Sequence, residues 1–177
     1  MHKPRKTILI AGLAAILATA PALAQTAPAP SGVLNLRLLL DVAPSANAQL
    51  VFVDQKSKKQ VGPKITVWQL TLYATPRPAE DGKKVAGVWS QVTIDCLAKT
   101  IQGGDGVVLS DKLDVLATGN SGEASRAVRP NTIDARNMSL ACDDKDPYPG
   151  NPSVADVATA RGIALAHAVP AAAPAAR

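Results

Sequence analysis

Cys96 and Cys142 are the only cysteines in a chain of 177 residues. Two thiols alone can form a disulfide, hold a metal or react. A metal site needs closely spaced ligands, and these two lie too far apart in sequence to supply them. A disulfide between them would close a loop of about 46 residues, worth roughly 4 kcal/mol in the chain-entropy picture. Nucleophilic catalysis needs a nucleophile, a base and an orienting group. The histidines are His2 and His167, and His167 lies far in sequence from any partner. It reads as a solvated residue at a helix end. Paired carboxylates could do glycosidase-type work, and the candidates are Glu80, Asp95, Asp105, Asp111 and Asp114. All but Asp95 fall where turns are expected, and aspartate serves turns by hydrogen-bonding its own backbone. Asp95 precedes a cysteine at a strand end, where a structural role is expected.

Three further clusters invite chemistry. Gly103-Gly104-Asp105-Gly106 is glycine-rich, but a phosphate cradle needs a strand, a loop and then a helix N-terminus. Strand-like residues flank this run on both sides, so a bulge or hairpin bend is expected. Asp143-Asp144-Lys145-Asp146 is acidic, yet it lacks the ligand spacing and distal glutamate of a calcium loop. Lys56, Lys58, Lys59 and Lys64 form a candidate binding patch for an anionic glycan, lipid or matrix protein. Lysine also guards exposed sheet edges, and that is the plainer reading. No cofactor-binding motif and no metal-ligand set emerges.

The elements that would position these residues are mostly strands. Residues 33–42 and 49–54 read as strands, and 55–64 as a solvated loop or short edge element. Residues 65–75 are rich in β-branched and aromatic side chains and give the clearest strand. Trp68, Leu70 and Leu72 share one of its faces. Residues 85–96 alternate, with Val88, Ser90, Val92, Ile94 and Cys96 on the more apolar, core-facing side. Residues 99–109 and 114–118 supply shorter strands. Asn131 is expected to cap a helix over 132–142, whose apolar stripe is Ala135, Met138, Ala141 and Cys142. Both periodicities place Cys96 and Cys142 on buried faces, as a staple between sheet and helix would require. Ser153 is expected to cap a second, peripheral helix with a stripe of Val154, Val157, Ala158, Leu165 and Ala168. The fold class is α+β: an antiparallel sheet of about five to six strands with a C-terminal helix disulfide-linked to it.

The two ends differ from this body. Lys3, Arg5 and Lys6 precede an apolar run over 7–20, and Ala22-Leu23-Ala24 follows. These are the three parts of a secretory signal peptide, over 1–24. The run is shorter than the ~20 residues that span a bilayer. Cleavage between Ala24 and Gln25 would lower the formal net charge from +5 to +2, so basicity ceases to argue for nucleic acid. Aromatic residues at 3% are too few for base-stacking platforms. Export favours an oxidising compartment, and with it the disulfide. Residues 25–32 read as a Pro/Ala-rich linker, 33–146 as the domain, 147–169 as the peripheral helix and 170–177 as a disordered tail.

Several landmarks stand in order: Val53-Asp54, Gly62, Val67-Trp68, Asp95-Cys96, Pro130-Asn131-Thr132 and Ala141-Cys142. Their order and spacing over 49–142 resemble the bacterial surface-adhesin protein E family. The resemblance implies an antiparallel sheet tied to a C-terminal helix. Family members that act as adhesins bind host matrix and serum proteins and can be lipid-anchored and dimeric. The chain departs from the family in three ways: no cysteine follows the signal, Asn131 stands where glycine is usual, and a second helix and tail are added. The expectation is a non-enzymatic, exported cell-envelope protein, periplasmic or extracellular, that binds a protein or an envelope or matrix component. A homodimer is compatible with it. The alternative is a small envelope hydrolase or inhibitor-like module using loop carboxylates.

Overall fold

The computed structural model describes residues 28–40, 45, 47–79, 81–151 and 153–168. The expected signal peptide, residues 25–27 of the linker, Glu80 and the tail lie outside these residues. Seven strands form one sheet: β1 (Leu36–Leu40), β2 (Gln49–Val61), β3 (Lys64–Pro78), β4 (Lys84–Asp95), β5 (Thr100–Ser110), β6 (Val115–Asn120) and the short β7 (Arg126–Ala127). Strands β1 to β6 follow one another across the sheet in chain order, every pair antiparallel. β7 pairs with the first residues of β5, beyond the stretch that β6 covers. Two helices follow, α1 (Ile133–Asp143) and α2 (Val157–Ala166).

β3 shows why both faces of the sheet are occupied. Its Trp68, Leu70 and Leu72 are buried on one side, and its Ile65 and Val67 on the other. The first core joins them to Leu36, Phe52, Trp89 and Leu109, and to Ala160 and Ala164 of α2. The second joins Val53, Val92, Ile94 and Ile101 to Leu140 and Ala141 of α1. The sheet is thus the middle layer of three. This changes the expectation for β4, whose apolar alternation suggested one core face. Val92 and Ile94 do face the α1 core, but Trp89 on the opposite face is also buried, packed edge-on against Trp68 with ring centroids 6.4 Å apart. Tryptophan burial is a large apolar contribution, and it is possible here because α2 covers that face.

Cys96 and Cys142 form a disulfide with their Cα atoms 5.9 Å apart. It joins the end of β4 to the last turn of α1 beside the second core. α1 starts one residue later than its sequence suggests. Thr132, not Asn131, is the N-cap, and its hydroxyl accepts the Ala135 N–H at 3.2 Å. Asn131 instead takes a left-handed conformation, φ +61°. Glycine adopts that region freely and asparagine tolerates it, so this backbone accepts Asn131.

α2 is capped by Asp156, not Ser153. The Asp156 carboxylate accepts the Thr159 N–H at 2.7 Å and the Thr159 hydroxyl at 2.9 Å. The buried residues of α2 are Ala160, Arg161 and Ala164, while Leu165 is exposed. Small alanines let the helix backbone come close to the leucines and tryptophans of the sheet. Val154 pairs with Leu36 as an isolated bridge and covers part of the β1 edge.

Residues 55–61 continue β2 past the reach of β1, so of the two expectations for this stretch the edge element holds and the loop does not. The register jumps from Asp54↔Trp68 to Lys59↔Thr66, so β2 carries three residues more than β3 across this step. Ser57 closes the bulge: its Oγ accepts the Trp68 N–H at 2.8 Å and donates to the Asp54 carbonyl at 2.7 Å. Asp54 is buried, and its Oδ1 accepts the N–H groups of Asn35 and Lys56. A buried carboxylate must be hydrogen-bonded to be tolerated, so the Val-Asp landmark is a structural anchor for the bulge.

Candidate binding groove

α1 is eleven residues long and cannot cover the whole face on which it lies. Beyond it the sheet carries small or short side chains: Ser90 on β4, three glycines of the Gly103–Gly106 run on β5, and Ala117 and Gly119 on β6. These leave a groove of about 500 Å³, with Val88 and Val108 in its lining. Gln69, Asp105, Asn120, Glu123, Arg126 and Asp134 add polar groups to it.

The glycine run belongs to the strand and makes the expected bulge. Ser90 pairs with Gly106 and Val92 with Gly103, one residue more on β5 than on β4. A side chain at 103 would lie 2.6 Å from Ser121 Oγ and 2.9 Å from Glu123 Oε2. The missing Cβ therefore lets the segment after β6 fold back across β5. That brings Glu123 and Arg126 to the groove, and the Arg126 guanidinium then bridges two carboxylates, Glu123 and Asp134, at 2.9 Å each. Half-exposed ion pairs of this kind contribute little to stability, but they fix the position of three charged groups. Sequence reasoning missed this trio, because a pairing as short as β7 has almost no pattern of its own.

The carboxylates singled out by type are dispersed. Asp95 Oδ1 accepts the N–H groups of Leu97 and Ala98, capping the turn between β4 and β5. Asp105 accepts the Asn120 amide at 2.8 Å and lines the groove. Asp111 and Asp114 lie past the far end of β5 from Asp95, about 35 Å away at the usual strand rise. In the turn there, Ser110 Oγ accepts the Asp114 N–H. Asp111 also sits close enough to Arg161 to favour its charge, although burial as the larger influence lowers that guanidinium from its ordinary value. His167 caps the C-terminus of α2, with Nδ1 2.9 Å from the Ile163 carbonyl. The acidic residues after α1 pair with the sheet: Asp146 with Arg37, and Asp144 with Lys58 at 3.2 Å.

The four lysines separate into two pairs. Lys56 Nζ donates to the Val33 carbonyl, and Lys58 pairs with Asp144. Lys59 and Lys64 stand exposed near the β2–β3 turn, with no ion pair among the described residues. Among those residues no group of three or more candidate ligands could hold a metal ion, and no helix is long and apolar enough to cross a membrane.

The sequence profile of the family described as surface-adhesin protein E matches residues 40–143. The chain belongs to this family. No curated protein and no solved structure gives a significant match. In this surface-adhesin E domain the matched region runs from the end of β1 to the last residue of α1. It includes the bulge at Asp54, the disulfide and every residue named above in the groove. α2 and the segment before β1, which cover the other core, lie outside it.

Proposed function

We propose that the chain is an exported, non-enzymatic cell-envelope protein that binds a macromolecule at the groove beside α1. The family match carries this reading, because the family is one of surface adhesins. The groove supports it as a place. It is broad and polar-rimmed, and its charged groups are hydrogen-bonded or ion-paired, as suits holding a ligand rather than transferring protons. Residues 1–24 export the protein, with cleavage between Ala24 and Gln25, and residues 33–146 form the binding domain. The partner is a host matrix or serum protein, or a component of the envelope itself.

The test is retention of immobilised matrix proteins, serum proteins and envelope extract by the exported protein. A second sample carries Ser90→Arg and Ala117→Arg, which fill the groove from exposed or half-buried positions. The expected result is a retained component that the filled groove releases. Retention of nothing above a denatured control would remove the binding reading. Retention that the filled groove leaves unchanged would move the site elsewhere. The mass of the exported chain decides the cleavage position independently.

A further inference from the structure

The β2–β3 and β4–β5 turns lie at the same end of the sheet, and Cys96 N–H donates to the Pro63 carbonyl between them at 2.9 Å. Each turn exposes a large apolar side chain. Val61 is 81% exposed and Leu97 82%. Neither is required by its turn. Gly62, at φ +58°, meets the backbone demand of the first, and Asp95 caps the second. Most exposed apolar residues are scattered singly and need no explanation, but these two crown neighbouring turns.

Four basic side chains surround them. Lys59, Lys64 and Lys99 are exposed beside the turns, and Arg129 follows Val128, whose N–H donates to the Lys99 carbonyl. None of the four has an ion pair among the described residues. The acidic groups nearby are Asp95, engaged by its own turn, Asp143 beside the disulfide, Asp144, paired with Lys58, and Asp134, which lines a pocket with Arg129 but is paired with Arg126. Apolar tips ringed by free cations match the two layers of an anionic bilayer surface, acyl chains beneath phosphate headgroups.

We infer that this end of the sheet docks the protein peripherally on an anionic phospholipid surface, with Leu97 and Val61 entering the headgroup region and Lys59, Lys64, Lys99 and Arg129 facing the phosphates. The docking end differs from the groove beside α1, so a macromolecule there and a membrane here are compatible and separately testable.

The experiment measures binding of the exported protein to phosphatidylcholine vesicles, with and without one-third phosphatidylglycerol. Binding is expected only to the anionic vesicles and is expected to weaken with salt. The double variant Val61→Asp/Leu97→Asp should lose at least about tenfold in partitioning. The triple variant Lys59→Gln/Lys64→Gln/Lys99→Gln should lose about a hundredfold. All five positions are solvent-exposed, and thermal melts check that the variants stay folded. A Leu97→Trp variant gives a direct readout. Its emission should shift to the blue on anionic vesicles, while Trp68 and Trp89, already buried, contribute a constant background. Equal binding to neutral vesicles, or no binding to either, would overturn the inference. So would loss in the lysine variant with none in the Val61/Leu97 variant, since that pattern belongs to a soluble polyanion.

Discussion

Removing the disulfide as Cys96→Ala/Cys142→Ala should lower global stability while leaving α1 in place. The bridge closes a loop of 46 residues, and cross-linking such a loop removes about 4 kcal/mol of chain entropy from the unfolded state. The effect acts on the unfolded ensemble, so the native contacts of α1 are not its source. Leu140 and Ala141 are buried against Val67, Val92 and Ile94. Asn137, fully buried, donates to Gln69 Oε1 at 3.1 Å, and Arg136 donates to the Leu39 carbonyl at 3.1 Å. These hold the helix without the bridge. With a urea m-value of about 2 kcal/mol per M, the midpoint should fall by about 2 M. Natural domains have only about 5–15 kcal/mol in reserve, so this is a large share. Hydrogen exchange under native conditions should then show α1 amides protected to the same, lowered, global limit as β3 and β4. A midpoint shift below about 0.5 M would refute the loop-entropy argument. Full exchange in α1 with β3 still protected would show that the bridge, not the packing, holds the helix.

Three other outcomes follow from particular contacts. Gly87→Ala places a Cβ 2.6 Å from the Thr71 carbonyl oxygen and 2.7 Å from Leu72 Cδ2. Because one of these is backbone, the strand pair must shift, and chemical denaturation should show a loss of about 1–3 kcal/mol. Asn131→Gly should leave stability unchanged or slightly raised, whereas Asn131→Val should cost about 1–2 kcal/mol, since valine resists φ +61°. Asp156 is held below the ordinary carboxylate range, chiefly by the Thr159 N–H and then by its hydroxyl. A carboxylate lowered on folding stabilises the fold above its unfolded value, about pH 4, and that stability fades as pH falls through the lower folded value. Amide protection in α2 should therefore drop in acid, and Asp156→Asn should flatten that dependence.

The strands were legible because β-branched residues alternate along them, and the disulfide because the chain has only two cysteines; the helix face was read less well, since Asn137 and Leu140 are buried with Ala141 while Ala135, Met138 and Cys142 are only partly so. The errors have physical causes. The lysine-rich stretch 55–61 reads as a solvated loop or short edge element; it is the latter, a continuation of β2 past the reach of β1, kept in place because Ser57 replaces the missing ladder bond to Trp68. The face of α2 was misread because hydropathy favours Leu165, while close approach to Trp89 and Leu70 favours Ala160 and Ala164. Arg161 shares that face and donates to the Tyr73 carbonyl, a choice no apolar pattern encodes. The groove was illegible for a different reason. Glu123, Arg126 and Asp134 carry no spacing that links them. They meet only because β7 pairs beside β6 on the same strand and Gly103 leaves room for the crossing.

The layering also narrows where a partner can bind. α2 and the segment before β1 cover one face, and both lie outside the region that matches the family. A surface used by the family at large is therefore expected on the other face or at the turns, which the matched region builds entirely. On that face α1 buries the side near β1 to β3, where Val53, Val67 and Leu140 meet. It stops short of Ser90, Gly106, Ala117 and Gly119. A longer helix would fill the groove, and larger residues on β5 and β6 would close it. The sequence has neither, and its glycines there weaken the strand where valine would strengthen it. At Gly103 the chain itself uses the room, since Ser121 and Glu123 cross there, whereas Gly119 has open space above it, so arginine at Ser90 and Ala117 tests the part of the face that the chain leaves uncovered.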